Sequence, residues 1–178
     1  MPTYQDLIGK QAPSFSLPNH DGSNFDFKPG EDSRPVALFF YPESGSYGCT
    51  RQACQFRDAV VENVTFSAEK VRLIGISPDS VEKQKQFVEK HNLPFPVLSD
   101  SEKQVAGIYH IPRGMMGITP VARVTVVIDA KGVVRDTLDA TMNYGAHQKF
   151  VEKWLTKLEN EAEPGAGTEA APATSAES

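Results

Sequence analysis

Two stretches leave this chain little freedom of fold. Val36-Ala37-Leu38-Phe39-Phe40-Tyr41 is an uninterrupted apolar run ended by Pro42, and Val71-Arg72-Leu73-Ile74-Gly75-Ile76 is nearly as apolar. A strand with one wet face alternates, whereas runs like these suit strands covered on both faces, as in the middle of an α/β sheet. A helical pattern lies between them. Cys49, Ala53, Phe56, Val60 and Val64 follow steps of four, three, four and four, which stacks them on one helix face.

The flanking segments add to this strand–helix–strand nucleus. Residues 9–18 alternate apolar and polar, then Asn19-His20-Asp21-Gly22 gives a turn signal before Ser23-Asn24-Phe25-Asp26-Phe27. That pattern predicts an N-terminal hairpin. Ser77-Pro78-Asp79-Ser80 predicts a capped helix start with its proline at an early position, and Leu93-Pro94 stops that helix after His91-Asn92. Residues 124–128 and 133–138 flank Asp129-Ala130-Lys131-Gly132 as a second hairpin, and a last helix carries His147, Phe150, Val151, Trp154, Leu155 and Leu158 on one stripe. The order β-β, β-α-β-α, β-β-α describes one layered α/β domain over residues 1–159. A thioredoxin-like fold with an N-terminal β-hairpin extension fits it, its central mixed sheet flanked by helices. From residue 160 the composition turns to Glu, Ala, Gly, Pro, Ser and Thr without Leu, Ile, Val or Phe, which predicts a disordered tail over 160–178.

Charge and cysteine content exclude several functions. Of the net charge of -5, four units come from Glu161, Glu163, Glu169 and Glu177 near the C-terminus, leaving about -1 on the body. A near-balanced surface with no basic stripe gives no support for nucleic-acid binding. No apolar run approaches the roughly 18 residues of a membrane span, and the first residues lack the basic and apolar segments of a secretory signal, so a cytoplasmic location is expected, with the nucleus also open to so small a protein. The two cysteines, Cys49 and Cys54, are too few for a secreted disulfide scaffold, and no histidine neighbours them in sequence to complete a zinc site. They are either two inert thiols or one redox pair.

Position favours chemistry at Cys49. A buried strand ends, Pro42-Glu43-Ser44-Gly45-Ser46-Tyr47-Gly48 forms a loop, and Cys49 opens a helix. Ligands of α/β sheets gather at the carboxyl ends of strands, and the free N–H groups and dipole of a helix start favour an anionic, nucleophilic sulfur. Ser46 can offer a hydroxyl to that sulfur or to an incoming oxygen, and Pro42 can wall the site from water. Against this stands the apolar stripe that contains Cys49, since buried cysteines are commonly inert packing groups. The spacing to Cys54 sharpens the question. Five helical residues turn about 140° and rise about 7.5 Å, so the two Cα atoms would lie roughly 8 to 9 Å apart, beyond the ~7 Å reach of a disulfide. A bond between them requires the first turns of the helix to unwind.

Pro42, Ser46 and Cys49 together resemble the peroxiredoxin signature of proline, three residues, threonine or serine, two residues, cysteine. The segment Cys49-Thr50-Arg51-Gln52-Ala53-Cys54-Gln55-Phe56-Arg57-Asp58 is similar to the peroxiredoxin Q (bacterioferritin comigratory protein) subfamily, whose resolving cysteine also lies five residues on. The likeness continues through residues 75–80, 93–100 and 123–129 and spans roughly residues 9–158. It implies a thiol peroxidase that reduces hydrogen peroxide and alkyl hydroperoxides. Cys49 would form a sulfenic acid, Cys54 would condense with it, and thioredoxin, or alternatively glutaredoxin, would reduce the disulfide. Pro42 and Ser46 match the shielding loop, and Arg123 matches the arginine that holds the thiolate and polarises the peroxide. Ser46 departs from the threonine of many members, keeping the hydroxyl but losing the β-branch that restricts its rotation. The resemblance implies a monomer without cofactor or metal.

Bland readings attach to the other candidates. His20, His91, His110 and His147 follow no ligand spacing and read as structural or exposed. Met115-Met116 reads as an apolar lip or as core packing, Trp154 and its stripe as core, and the lysines of Glu82-Lys83-Gln84-Lys85 as a solvated helix face. Two other functions use the same residues. A protein thiol–disulfide oxidoreductase would place two residues between its cysteines, whereas four separate this pair. A redox sensor or chaperone-like protein would oxidise once and relay the signal, without continuous turnover.

Overall fold

In the computed structural model, which describes residues 1–162, a short 3-10 turn (Tyr4–Leu7) precedes an antiparallel hairpin of β1 (Phe15–Pro18) and β2 (Asn24–Phe27). Then follow β3 (Val36–Phe40), α1 (Tyr47–Glu62), β4 (Arg72–Ser77), α2 (Val81–His91), β5 (Val97–Ser99) and α3 (Gln104–Ile108). The second hairpin, β6 (Val124–Ile128) and β7 (Val134–Asp139), leads into α4 (Tyr144–Ala162). The five later strands form one sheet in the order β5-β4-β3-β6-β7, parallel among β3, β4 and β5 and antiparallel at β6 and β7.

Strand β3 is buried at every position and takes the centre, as its uninterrupted apolar run requires. Its side chains alternate between two cores. Val36, Leu38 and Phe40 pack with Leu17, Phe27, Ile74, Tyr109 and Val126 on one face. Ala37, Phe39 and Tyr41 pack with Cys49, Phe56, Phe87, Val151 and Leu155 on the other. Gly75 sits opposite Phe39, where a Cβ would come within 2.8 Å of the ring, so the aromatic fills the room that glycine leaves.

Several details depart from the sequence expectations. Val64 lies beyond the end of α1 in a short 3-10 turn and is 79% exposed, so the buried stripe ends with Ala59 and half-buried Val60. Ser80 caps α2 by accepting from the Lys83 N–H, which leaves Pro78 two residues outside the helix. The helix ends at Asn92 in the left-handed conformation (φ 51°) rather than at the proline. β5 and α3 escape the sequence reading, being too short to show a period. Trp154 is half-buried, its ring flanked by Arg135 and Lys157 and its N–H donating to Asp136. Met115 and Met116 are exposed at the tip of a turn closed between Gly114 and Thr119, which rules out core packing. The expected boundary at residue 160 falls inside α4, where Glu161 pairs with Arg135; residues 163–178 lie outside the described part.

Candidate active site

Strand register brings the site together. Phe40 faces Ile76 on one side and Val124 on the other, so the carboxyl ends of β3 and β4 and the start of β6 share one edge. Pro42 leaves β3 at that edge and Arg123 enters β6 there. Cys49 lies in the first turn of α1, 1% exposed, packed with Tyr41, Ala53 and Phe56. Of the five residues singled out from sequence, Arg123 and Cys49 meet, while Pro42 and Ser46 lie in the loop that joins β3 to α1. Cys54 is half-buried further along the wound helix, and both thiols are free.

Arg123 is 7% exposed, and among the described residues its hydrogen-bond and stacking partners are neutral groups and the sulfur itself. Its Nη1 donates to Cys49 Sγ at 3.4 Å and to Gln52 Oε1 at 2.7 Å, while Nε donates to the Thr141 carbonyl at 3.1 Å. Its guanidinium stacks on the Tyr144 ring, 5.0 Å from the centroid. Among the described residues no carboxylate pairs with it, so its permanent charge is directed at the sulfur. Gln52 must turn its oxygen to the donor, which leaves its buried Nε2 without a partner.

Ser46 departs from expectation in detail. It is the N-cap of α1, but its hydroxyl donates to the Glu43 carbonyl at 3.0 Å rather than to the sulfur. The tight turn through Gly45 (φ 91°) brings that carbonyl within reach. No side chain caps the helix, so the first-turn amides remain donors beside the sulfur.

Beneath the loop runs a buried polar network that sequence reading missed. The Tyr41 hydroxyl donates to Ser44 Oγ at 2.7 Å, and Ser44 Oγ donates to Gln84 Oε1 at 2.5 Å. Gln84 Nε2 donates to Ser77 Oγ and the Leu98 carbonyl, both at 2.8 Å. Asp79 accepts from the Ser44 N–H at 2.7 Å and from Ser77 Oγ at 2.6 Å. Burial pushes the Tyr41 phenol up, which keeps it a donor. Lys83, expected on a solvated face, bridges Glu43 at 2.9 Å and Asp79 at 3.0 Å, so the lysine ties the same loop to α2. His147 is structural, as expected. It is fully buried, with Nε2 donating to the Ala140 carbonyl and Nδ1 accepting from Thr125, and burial holds it below the usual histidine range.

A buried thiol opening a helix at the carboxyl edge of a mixed sheet, with a guanidinium against it, defines a thioredoxin-like protein organised around one reactive cysteine. The AhpC/TSA family model matches residues 8–137. Peroxiredoxin Q of Suaeda salsa chloroplasts is 37% identical over 150 residues, covering 84% of this chain and 68% of the relative. The crystal structure of peroxidoxin BcpB from Mycobacterium tuberculosis superposes with a TM-score of 0.76 at 33% identity, covering 85% of this chain and 97% of that one. Peroxiredoxin Q of Xanthomonas campestris shares the fold, with a TM-score of 0.69 at 21% identity over 80% of this chain and 90% of that one. The chain belongs to the AhpC/TSA family of peroxiredoxins, within its peroxiredoxin Q (bacterioferritin comigratory protein) branch, and is a thiol-dependent peroxidase.

Proposed function

We propose that this peroxidase reduces hydrogen peroxide and organic hydroperoxides at Cys49, resolves through Cys54, and draws electrons from a thioredoxin-type dithiol. The Cys49 thiolate attacks one peroxide oxygen. The O–O bond breaks, the sulfur becomes a sulfenic acid, and the departing alkoxide or hydroxide takes a proton to leave as alcohol or water. The Cys54 thiol then condenses with the sulfenic acid, forming the S–S bond and releasing water. An external dithiol reduces that bond by exchange and is itself oxidised to a disulfide. Both half-reactions run on sulfur alone.

One observation carries the reading: Arg123 Nη1 stands 3.4 Å from Cys49 Sγ, with no carboxylate among the described residues to share its charge. An anion at the sulfur, and the negative charge growing on the departing oxygen, both face that guanidinium and the uncapped first-turn amides. Pro42 and Ser46 shape the wall through which the peroxide enters. The proposed working form is a cytoplasmic monomer.

NADPH-coupled peroxide consumption with thioredoxin and thioredoxin reductase tests the reading. Cys49→Ser should lose all activity. Cys54→Ser should consume about one equivalent of peroxide and then stop. Equal steady turnover in all three proteins would remove the assignment, and oxidation without turnover in the wild type would favour a sensor.

A further inference from the structure

The two halves of this reaction ask opposite things of α1. Cys49 meets Arg123 only while the first turn is wound, and meets Cys54 only once that turn has opened. The Ser44 side of the loop is held by hydrogen bonds that cost free energy to break when buried. The Tyr47–Gly48 side is held differently, by one aromatic ring.

That ring belongs to Tyr144, the first residue of α4. One face supports the Arg123 guanidinium at 5.0 Å. Its edge lies against Gly48, where a Cβ would come within 2.6 Å of Cε1 and Cζ. Gly48 is helical and has no positive φ, so its backbone does not call for glycine, which a helix disfavours relative to alanine. The room it leaves is filled by Tyr144. Tyr47, itself 73% exposed, meets the same ring edge-on with centroids 6.4 Å apart. Tyr144 is fixed from behind, because His147 on the next turn is bonded to Thr125 at 2.8 Å and to the Ala140 carbonyl at 2.9 Å.

We infer that Tyr144 is a latch: a positioning residue that holds the first turn of α1 against Arg123 for the peroxide step and sets how readily that turn peels away for the disulfide step. The inference rests on the peroxidase reading and adds a regulator of the same site. Aromatic packing suits the task. The ring contacts themselves include no hydrogen bond to break, and Arg123 keeps Gln52 and the Thr141 carbonyl as acceptors when the sulfur leaves. Opening the Ser44 network, by contrast, would strand buried hydroxyls. The turn therefore lifts from the Tyr47 end while Ser44 stays anchored as the hinge.

The test separates the two half-reactions in protein given one equivalent of hydrogen peroxide, with peroxide loss and disulfide formation followed by rapid quench and mass spectrometry. Tyr144→Leu should slow peroxide consumption by about tenfold and speed disulfide formation by a similar factor, the scale of a lost cation–π and aromatic contact. Tyr144→Phe should match wild type within about twofold in both steps, since the ring carries both contacts. Tyr47→Ala, at an exposed position that folding tolerates, should speed the disulfide step about threefold and leave the peroxide step unchanged, because it does not touch Arg123. A Tyr144→Leu protein in which both steps slow, or in which disulfide formation is unchanged, overturns the latch while leaving the peroxidase reading intact. A wild-type protein that forms no disulfide overturns both.

Discussion

Replacing Arg123 by methionine keeps most of the side-chain volume and removes the charge facing the sulfur. At the observed 3.4 Å, a unit-charge pair is worth about 5 kcal/mol at an effective dielectric of ~20. Spread of the charge over the guanidinium, and water entering beside the shorter methionine side chain, leave roughly half of that, about 2 to 3 kcal/mol. A factor of ten per ~1.4 kcal/mol makes this a loss of roughly 10²-fold in the rate of sulfur oxidation. Arg123→Lys restores the charge but not the fork. One ammonium cannot reproduce the planar grip on Thr141, Gln52 and the sulfur together, so about a tenfold loss should remain. The assay is stopped-flow oxidation of reduced protein by hydrogen peroxide under pseudo-first-order conditions, with circular dichroism to confirm that each variant is folded. A folded Arg123→Met protein that oxidises within about threefold of the wild-type rate would refute the assignment of the guanidinium to the sulfur.

Other perturbations report on neighbouring parts of the account. Asp79→Asn keeps the shape but weakens acceptance from the Ser44 N–H and the bridge to Lys83, so it should loosen the loop, costing about 1 to 3 kcal/mol in denaturant unfolding and slowing the peroxide step. Gln84→Leu, which leaves the Ser44 hydroxyl without its acceptor and removes the donor to the Leu98 carbonyl, should cost at least as much stability. His147 sets a pH dependence. Burial lowers its folded pKa, so on acidification below about 6.5 the unfolded chain takes up a proton that the folded one refuses. Thermal stability should therefore fall as pH drops from about 6.5, and His147→Asn, though less stable at neutral pH, should show a flatter slope there. An unchanged slope would contradict the neutral buried imidazole.

What could be read from the sequence divides by range. The strands of the sheet core announced themselves because β3 and β4 must be dry on both faces, and the two hairpins because their turns carry Asp, Asn and Gly. Three-residue β5 and five-residue α3 hold no period to read. Val64 fits the helical spacing of α1 but falls past its end, since periodicity alone does not mark where a helix stops. At the site, Cys49, Ser46 and Pro42 were visible as a local strand–loop–helix pattern. Arg123 came only through resemblance, and nothing local in its sequence separates it from a surface ion-pair residue. Gln52, Thr141 and Tyr144 acquire meaning only when register places β6 beside β3. Gln84 was hidden among charged neighbours, though it is wholly buried under the loop.

The central claim is that an intact helix keeps the two thiols apart and must open for them to join. Amide hydrogen exchange of the first half of α1, compared between the reduced protein and the protein holding the disulfide between Cys49 and Cys54, measures this directly. Protected amides from Thr50 to Phe56 in the reduced form, exchanging much faster once the bond is made, are the expected result. Equal protection in both forms, with the disulfide verified by mass, would contradict it.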